Sequence, residues 1–422
     1  MDHDLQFVAP RRRRPLVAVA IALTTVAAIA VPTLHRDKPK TELSNRGTQN
    51  ASPALDAEVP IPSDTIEAGD ESVLAEHSTT THVRVTTTTV IPIAHDPDPT
   101  LVLDADPEAP EPPRVVADQF ITEFAVPTKK SWPYGITTGP DGAIWFVENG
   151  SAAGYGNVSG IARLTLDGHI TEYPTPSAGP VWIAPGPDGA LWFTKAGDQS
   201  IGRITTDGTI SEYAAGLYSI WSITSGPDGA LWMTQRATEA GGFVIRMTTA
   251  GEMTKFKMPH DFAVSLAFGP DGNAWVADGA GFIARLTPTG QITEFAVTWD
   301  PYVNYVGPII AGPDGAMWFG ASGSSGGGGW IGRITMDGEL SRFPLPTDGD
   351  VASLVSGPDG YLWVTMNNSN VIVRVSTEGN TTAYSAYAPM GIAVGPDGAI
   401  WFTSTWGNSV SRLSIDLADT SP

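Results

Sequence analysis

The chain contains no cysteine. A disulfide framework, a thiolate metal site and a cysteine nucleophile are therefore excluded. Positive charge is scarce: 24 lysines and arginines face 45 aspartates and glutamates, a net charge of -21 with a pI near 4.5. Nucleic acid, whose phosphates require a basic footprint, is not an expected partner. The acidic balance suits a soluble, exported surface. Histidine is also rare, with 7 in 422 residues. Only His169 and His260 fall inside the repeated region described below, and His169 sits in a turn, so a Ser/His/Asp triad would rest on His260 alone.

Long apolar runs are confined to one place. Arg11 to Arg14 form a basic block, and the residues from Pro15 to Leu34 carry no charge over about the length of a bilayer-spanning helix. The basic block is expected to stay cytoplasmic, with everything after it outside. Residues 15–34 read either as a retained anchor in the cell membrane or as a signal peptide cleaved after Ala30, which would leave the protein secreted. Residues 35–118 are rich in Pro, Thr, Asp and Glu. Such a composition does not offset its ordering entropy by burial, so this stretch is expected to be a disordered, self-repelling linker.

Glycine (46) and proline (35) are abundant, which beside an ordinary apolar fraction of 41% signals many turns. Their arrangement is periodic. Gly-Pro-Asp-Gly begins at Gly139, Gly186, Gly226, Gly269, Gly312, Gly357 and Gly395, at intervals of 38 to 47 residues. Repeats of that length with strand-like content are the signature of propeller blades, each a four-stranded sheet. In the first unit, "GITTGPDGAIWFVEN" supplies two strands and a turn, "GIARLTL" a third, and Asp167-Gly168 turns into "HITEYPT". Within the turn, proline presets the first position, aspartate accepts a backbone amide and the last glycine takes positive φ.

The tryptophan three residues past each motif, Trp145 to Trp401, is expected to pack between blades. The third-strand arginines, Arg163 to Arg412, are expected to bridge neighbouring blades. The last repeat stops at Ser409 to Ile415 without a fourth strand, whereas Phe120 to Phe124 precede the first motif. That segment is expected to close the ring, removing free edges. The fold reads as all-β: a seven-bladed propeller over residues 119–417, after the cytoplasmic residues 1–14, the span 15–34 and the linker.

Repeats of the form "GPDGALWFT…IGRITTDGTISEY" in seven copies with amino-terminal closure resemble the streptogramin B (virginiamycin B) lyase-like propeller family, over about 118–417. The resemblance implies a Mg²⁺-assisted C–O elimination opening a cyclic depsipeptide, with histidines five residues before the motif in the sixth and seventh blades. Those positions are Ala352 and Met390 here, an acidic position of the family is Ala388, and a first-blade tyrosine is kept as Tyr134. The scaffold is present and the proton-transfer groups are not.

The variable loops between second and third strands, and between blades, all lie at the end opposite the glycine turns, where sites belong. The positions five before each motif, Tyr134, Val181, Trp221, Val264, Gly307, Ala352 and Met390, are expected to ring the mouth. Trp132, Trp182, Tyr218, His260, Phe262, Trp299, Tyr302 and Tyr305 lie in nearby loops, with the charges of Glu148, Lys195, Arg236, Asp278 and Asp350. Stacking faces beside a few polar groups suit a sugar, a peptide or an aromatic small molecule; the same aromatics also suit a channel plug. The expected binding set is Tyr134, Trp182, Trp221, Phe262, Tyr305, Met390 and Glu148, on a monomer. A lyase reading would fall back on His260 and Mg²⁺. Acids that would suit a hard cation are Glu148, Asp261, Asp278, Asp300 and Asp350.

Overall fold

The repeat grammar becomes geometry in blade 1, whose strands are Pro133–Thr138, Ile144–Glu148, Gly160–Leu164 and Ile170–Pro174. At the first turn Gly142 takes φ 71 and donates its amide to the carbonyl of Gly139 at 3.1 Å. Gly168 does the same work at the second turn with φ 96. A computed structural model describes residues 120–415 apart from short internal loops, together with three strand segments further upstream. Seven antiparallel sheets follow one another; the four blade strands are ordered as they occur in the chain in blades 1 to 6, and blade 7 takes its fourth from upstream. First strands of successive blades touch all round the ring, that of blade 7, Pro389–Val394, meeting that of blade 1.

Packing between blades is carried by the seven tryptophans, each at most 2% exposed. Trp145 clusters with Ile183, Leu191 and Phe193 of blade 2, and Trp401 of blade 7 with Ile136, Ile144 and Phe146 of blade 1. Each indole also lies against the aromatic of its own outer strand, as Trp145 does on Tyr173 at 5.8 Å. The indole explains the first glycine of the motif too, since a Cβ on Gly139 would lie 2.4 Å from Cδ1 of Trp145.

The motif aspartate has three tasks. Asp141 accepts the Ala143 amide and the Trp145 indole N–H on Oδ1, the latter at 2.9 Å, and pairs through Oδ2 with Arg163 Nε at 2.6 Å. Equivalent aspartate–arginine pairs occur in the six other blades, at 2.5 to 2.9 Å. The arginines therefore do not bridge blades as expected. Strand pairing sets Arg163 opposite Trp145 within one sheet, so the guanidinium reaches the turn of its own blade. Burial opposes ionisation of Asp141, but the indole, guanidinium and amide hydrogen bonds outweigh it and hold the carboxyl below its usual range.

The ring closes as the strand count requires. Ile121–Ala125 pairs along Ser409–Leu413 as the outer strand of blade 7, and Phe124 stacks on Trp401 at 5.4 Å. Three segments of the expected linker also pair as strands. Thr86–Thr89 extends the outer edge of blade 3, Pro92–Ile93 that of blade 2, and Arg114–Val115 that of blade 7. Covering an edge in this way removes unpaired N–H and C=O groups. The rest of the linker and the span 15–34 lie outside the described residues. Among the described residues no helix is long and apolar enough to cross a membrane.

Candidate ligand-binding face

The positions five before each motif lie at or next to the start of the first strand in six blades and within Val303–Ala311 in blade 5, at the end away from the glycine turns, and buried threonines fix three of their backbones. Thr403 of blade 7 donates its hydroxyl to the Tyr134 carbonyl at 2.6 Å, Thr365 of blade 6 to that of Met390 at 2.7 Å, and Thr234 of blade 3 to that of Val264 at 3.0 Å. Neighbouring first strands run so close that a Cβ on Gly391 would lie 2.4 Å from the Tyr134 carbonyl oxygen. The mouth is thus rigid. Its side chains are half-buried at Tyr134, Trp221, Ala352 and Met390, and buried at Val181 and Val264.

Several expected binding residues are brought together. Tyr134 and Trp182 meet edge to face at 5.5 Å. Tyr305 lies over Gly307, where a Cβ would touch its Cε1 at 3.2 Å, so blade 5 fills its ring position with a side chain from two residues upstream. Burial, followed by the neighbouring Tyr305, pushes the Tyr134 hydroxyl up to about 12. Burial raises the Tyr305 hydroxyl too, with Arg236 lowering it and Asp350 raising it. Trp221 and Phe262 converge on Arg236, whose guanidinium carbon lies 4.5 and 4.0 Å from their ring centroids. Phe262 is itself 36% exposed.

Glu148, Lys195 and Asp278 are not at the mouth. They occupy one repeat position, the end of the second strand, and are 2%, 0% and 1% exposed. Asp278 of blade 4 accepts the Ala280 amide at 2.9 Å, while in blades 1 and 2 that position points toward the outer strand. Lys195 Nζ meets Glu212 Oε1 there at 2.5 Å. Blade 1 places Glu148 beside Glu172 instead, with Gly160 leaving room, since a Cβ on it would lie 2.8 Å from Glu148 Oε2. Burial first, and then the Glu172 charge, raise the Glu148 carboxyl well above the usual range, and among the described residues its Oε1 has no hydrogen-bond partner. Glu172 in turn accepts the amide and hydroxyl of Thr128 at 3.1 and 3.0 Å, fastening the segment after the closing strand to blade 1.

His260 lies apart from the ring as well. Its imidazole stacks on Phe282 at 4.2 Å and its Nε2 meets Oε1 of Glu294, on the outer strand of blade 4, at 3.2 Å. Tyr218, Trp299, Asp300 and Tyr302 lie outside the described residues. At the opposite end a cleft of about 300 Å³ opens between blades 6 and 7, but its charged groups, such as Asp397 and Arg412, already pair with each other at 2.6 Å. Arg236 belongs to the mouth, although in the sequence it stands out only as a nearby charge. The usable signal was its place one residue past the buried repeat position, held in blade 3 by Gln235, so that strand alternation turns it the other way.

The model of the virginiamycin B lyase family matches residues 153–303 and 304–418, well over half of the chain. No curated protein matches it. Among solved structures, a streptogramin B lyase is 28% identical, with a TM-score of 0.61 over 70% of this chain and 97% of that one. A catalytically inactive His-to-Ala virginiamycin B lyase from Staphylococcus aureus, solved with quinupristin, is 29% identical with a TM-score of 0.61, over 70% of this chain and 99% of that one. The extracellular domain of a hybrid two-component system from B. thetaiotaomicron shares the fold alone, at 17% identity and TM-score 0.55, over 70% of this chain and 40% of that one. Seven repeats, a ring closed by the amino-terminal strand and the family match agree: the chain belongs to the virginiamycin B lyase family.

Proposed function

We propose that the propeller works outside the cytoplasm as a binding module, held to the cell membrane through residues 15–34 or released by cleavage after Ala30, and captures a small molecule, glycan or peptide on its open face. The observation that carries this reading is the mouth itself: Tyr134 against Trp182, and Trp221 with Phe262 around Arg236. Aromatic faces on a rigid rim offer stacking area with little entropy left to lose, and one cation gives polar selectivity.

The lyase alternative lacks its groups. A His-to-Ala change leaves the virginiamycin B lyase of Staphylococcus aureus catalytically inactive, and the family's histidine positions are Ala352 and Met390 in this chain. The residues at the mouth do not fit Mg²⁺ either. Their side chains contribute one tyrosine hydroxyl and no carboxylate or imidazole at the seven ring positions, and among the described residues no three His, Asp or Glu gather as a ligand set.

Intrinsic tryptophan fluorescence, titrated with a panel of oligosaccharides, linear peptides and a type B streptogramin, tests the reading. Binding that is lost in Trp221→Ala and Tyr134→Ala, with melting temperature kept, is the expected result; binding that survives both changes overturns it. Ring opening of the streptogramin with Mg²⁺, followed by mass spectrometry, would establish the lyase instead.

A further inference from the structure

Most arginines of this ring share one role, while Arg342, on the outer strand of blade 5, lies over the Trp330 ring at 4.5 Å. Seven third-strand arginines each hold the turn aspartate of their own blade within 2.9 Å. Arg236 departs from that pattern: among the described residues no carboxylate pairs with it, although acids outnumber bases nearly two to one in the chain. It is placed by structure and not by chance, because its backbone amide donates to the Ser219 carbonyl at 3.1 Å and it bridges to Phe262 of the next blade. Trp221 and Phe262 lie against the guanidinium, its carbon 4.5 and 4.0 Å from their ring centroids, and neither ring offers an acceptor lone pair, so its N–H groups are the part able to meet a ligand. Tyr305, whose own position is fixed over Gly307, is the polar neighbour.

We infer that the open face recognises an aromatic or apolar small molecule through a carboxylate held by the N–H edge of Arg236, with the molecule's apolar body against the mouth aromatics. The inference rests on the open-face reading and sharpens it. A planar fork of donors matches a carboxylate in two parallel hydrogen bonds. Contacts with two rings restrain that fork, so less side-chain freedom is lost on binding. Partial burial lowers the pKa of Arg236, with Tyr305 opposing that shift, and an arriving anion restores the balance that no internal acid provides.

The test is calorimetry and saturation-transfer NMR on the full-length chain with benzoate, phenylacetate and N-acetyl-L-phenylalanine, each beside its primary amide. The acids should bind roughly 10- to 100-fold more tightly than the amides, the range set by a charge-assisted hydrogen-bond pair. Arg236→Gln should bring acid down to the level of amide. Arg236→Lys, which keeps the charge and loses the fork, should retain part of the preference and guards against a folding defect in the first variant. Amides that bind as well as acids, or an acid preference that survives Arg236→Gln, overturn the carboxylate assignment and leave the open face standing as a binding site. Binding of neither member of any pair also overturns it, and the fluorescence panel with oligosaccharides and peptides then judges the face on its own.

Discussion

Replacing Lys195 by methionine keeps the apolar stem and removes one charge from the interior of blade 2. Its ammonium lies 2.5 Å from Glu212, and the two side chains are 0% and 5% exposed, so water cannot take the place of the lost partner. Breaking a buried pair in this way costs about 3–5 kcal/mol, because the remaining carboxylate stays desolvated without its countercharge. For an array of this size that is a fall in melting temperature of roughly 5–15 °C. The assay is thermal unfolding followed by far-UV circular dichroism, with Lys195→Met and the double variant Lys195→Met/Glu212→Leu side by side. The double variant should recover most of the loss, since an apolar pair of similar volume can replace a buried ion pair. A single variant that loses less than about 1 kcal/mol, the size of an exposed pair, would refute the reasoning. So would a double variant no better than the single one, which would place the damage elsewhere than in Glu212.

Blade 1 supplies the converse prediction. Burial and Glu172 raise the Glu148 carboxyl, so the stability it contributes is complete below the usual glutamate range and is lost as pH rises through its elevated value. Melting temperature measured against pH should fall on that side for the wild type and stay level for Glu148→Gln; Glu148→Lys, which copies the charges of blade 2, should stay level and melt higher. Trp318→Ala removes a fully buried indole that lies among residues of blade 6 and should cost about 3–5 kcal/mol in chemical denaturation. Phe124→Ala strips the stack on Trp401 from the closing strand; limited proteolysis should then cut first in the residues around 120–131, while the wild type resists there.

The residues legible from sequence are those whose role is local. Gly142 and Gly168 take positive φ wherever their turn type occurs, and Trp145 recurs at a fixed distance from its turn, so the strands and the blade-packing face follow from spacing alone. Ring closure was legible as well, by counting outer strands and finding the missing one ahead of the first motif. The arginines were not: their partner depends on which side of the sheet the third strand presents, and pairing Arg163 opposite Trp145 sends it to Asp141 within the blade. Among the site residues, Tyr134, Trp182, Trp221, Phe262 and Tyr305 were visible as loop aromatics around a ring position, whereas Glu148 looked equally exposed and is 2% so.

A seven-bladed ring, its closing strand and the end on which its loops vary are all readable along the chain, because turn chemistry and strand period are properties of a few consecutive residues. Which charges remain free at the mouth depends on how the strands pack. Lys195 has Glu212 as its neighbour and Glu148 has Glu172, while Arg236, one repeat position further on, meets two aromatic rings and no acid among the described residues. That difference arises from strand alternation and from contacts between blades, where residues far apart in sequence share a dry slot and the net charge of the slot fixes what each can do.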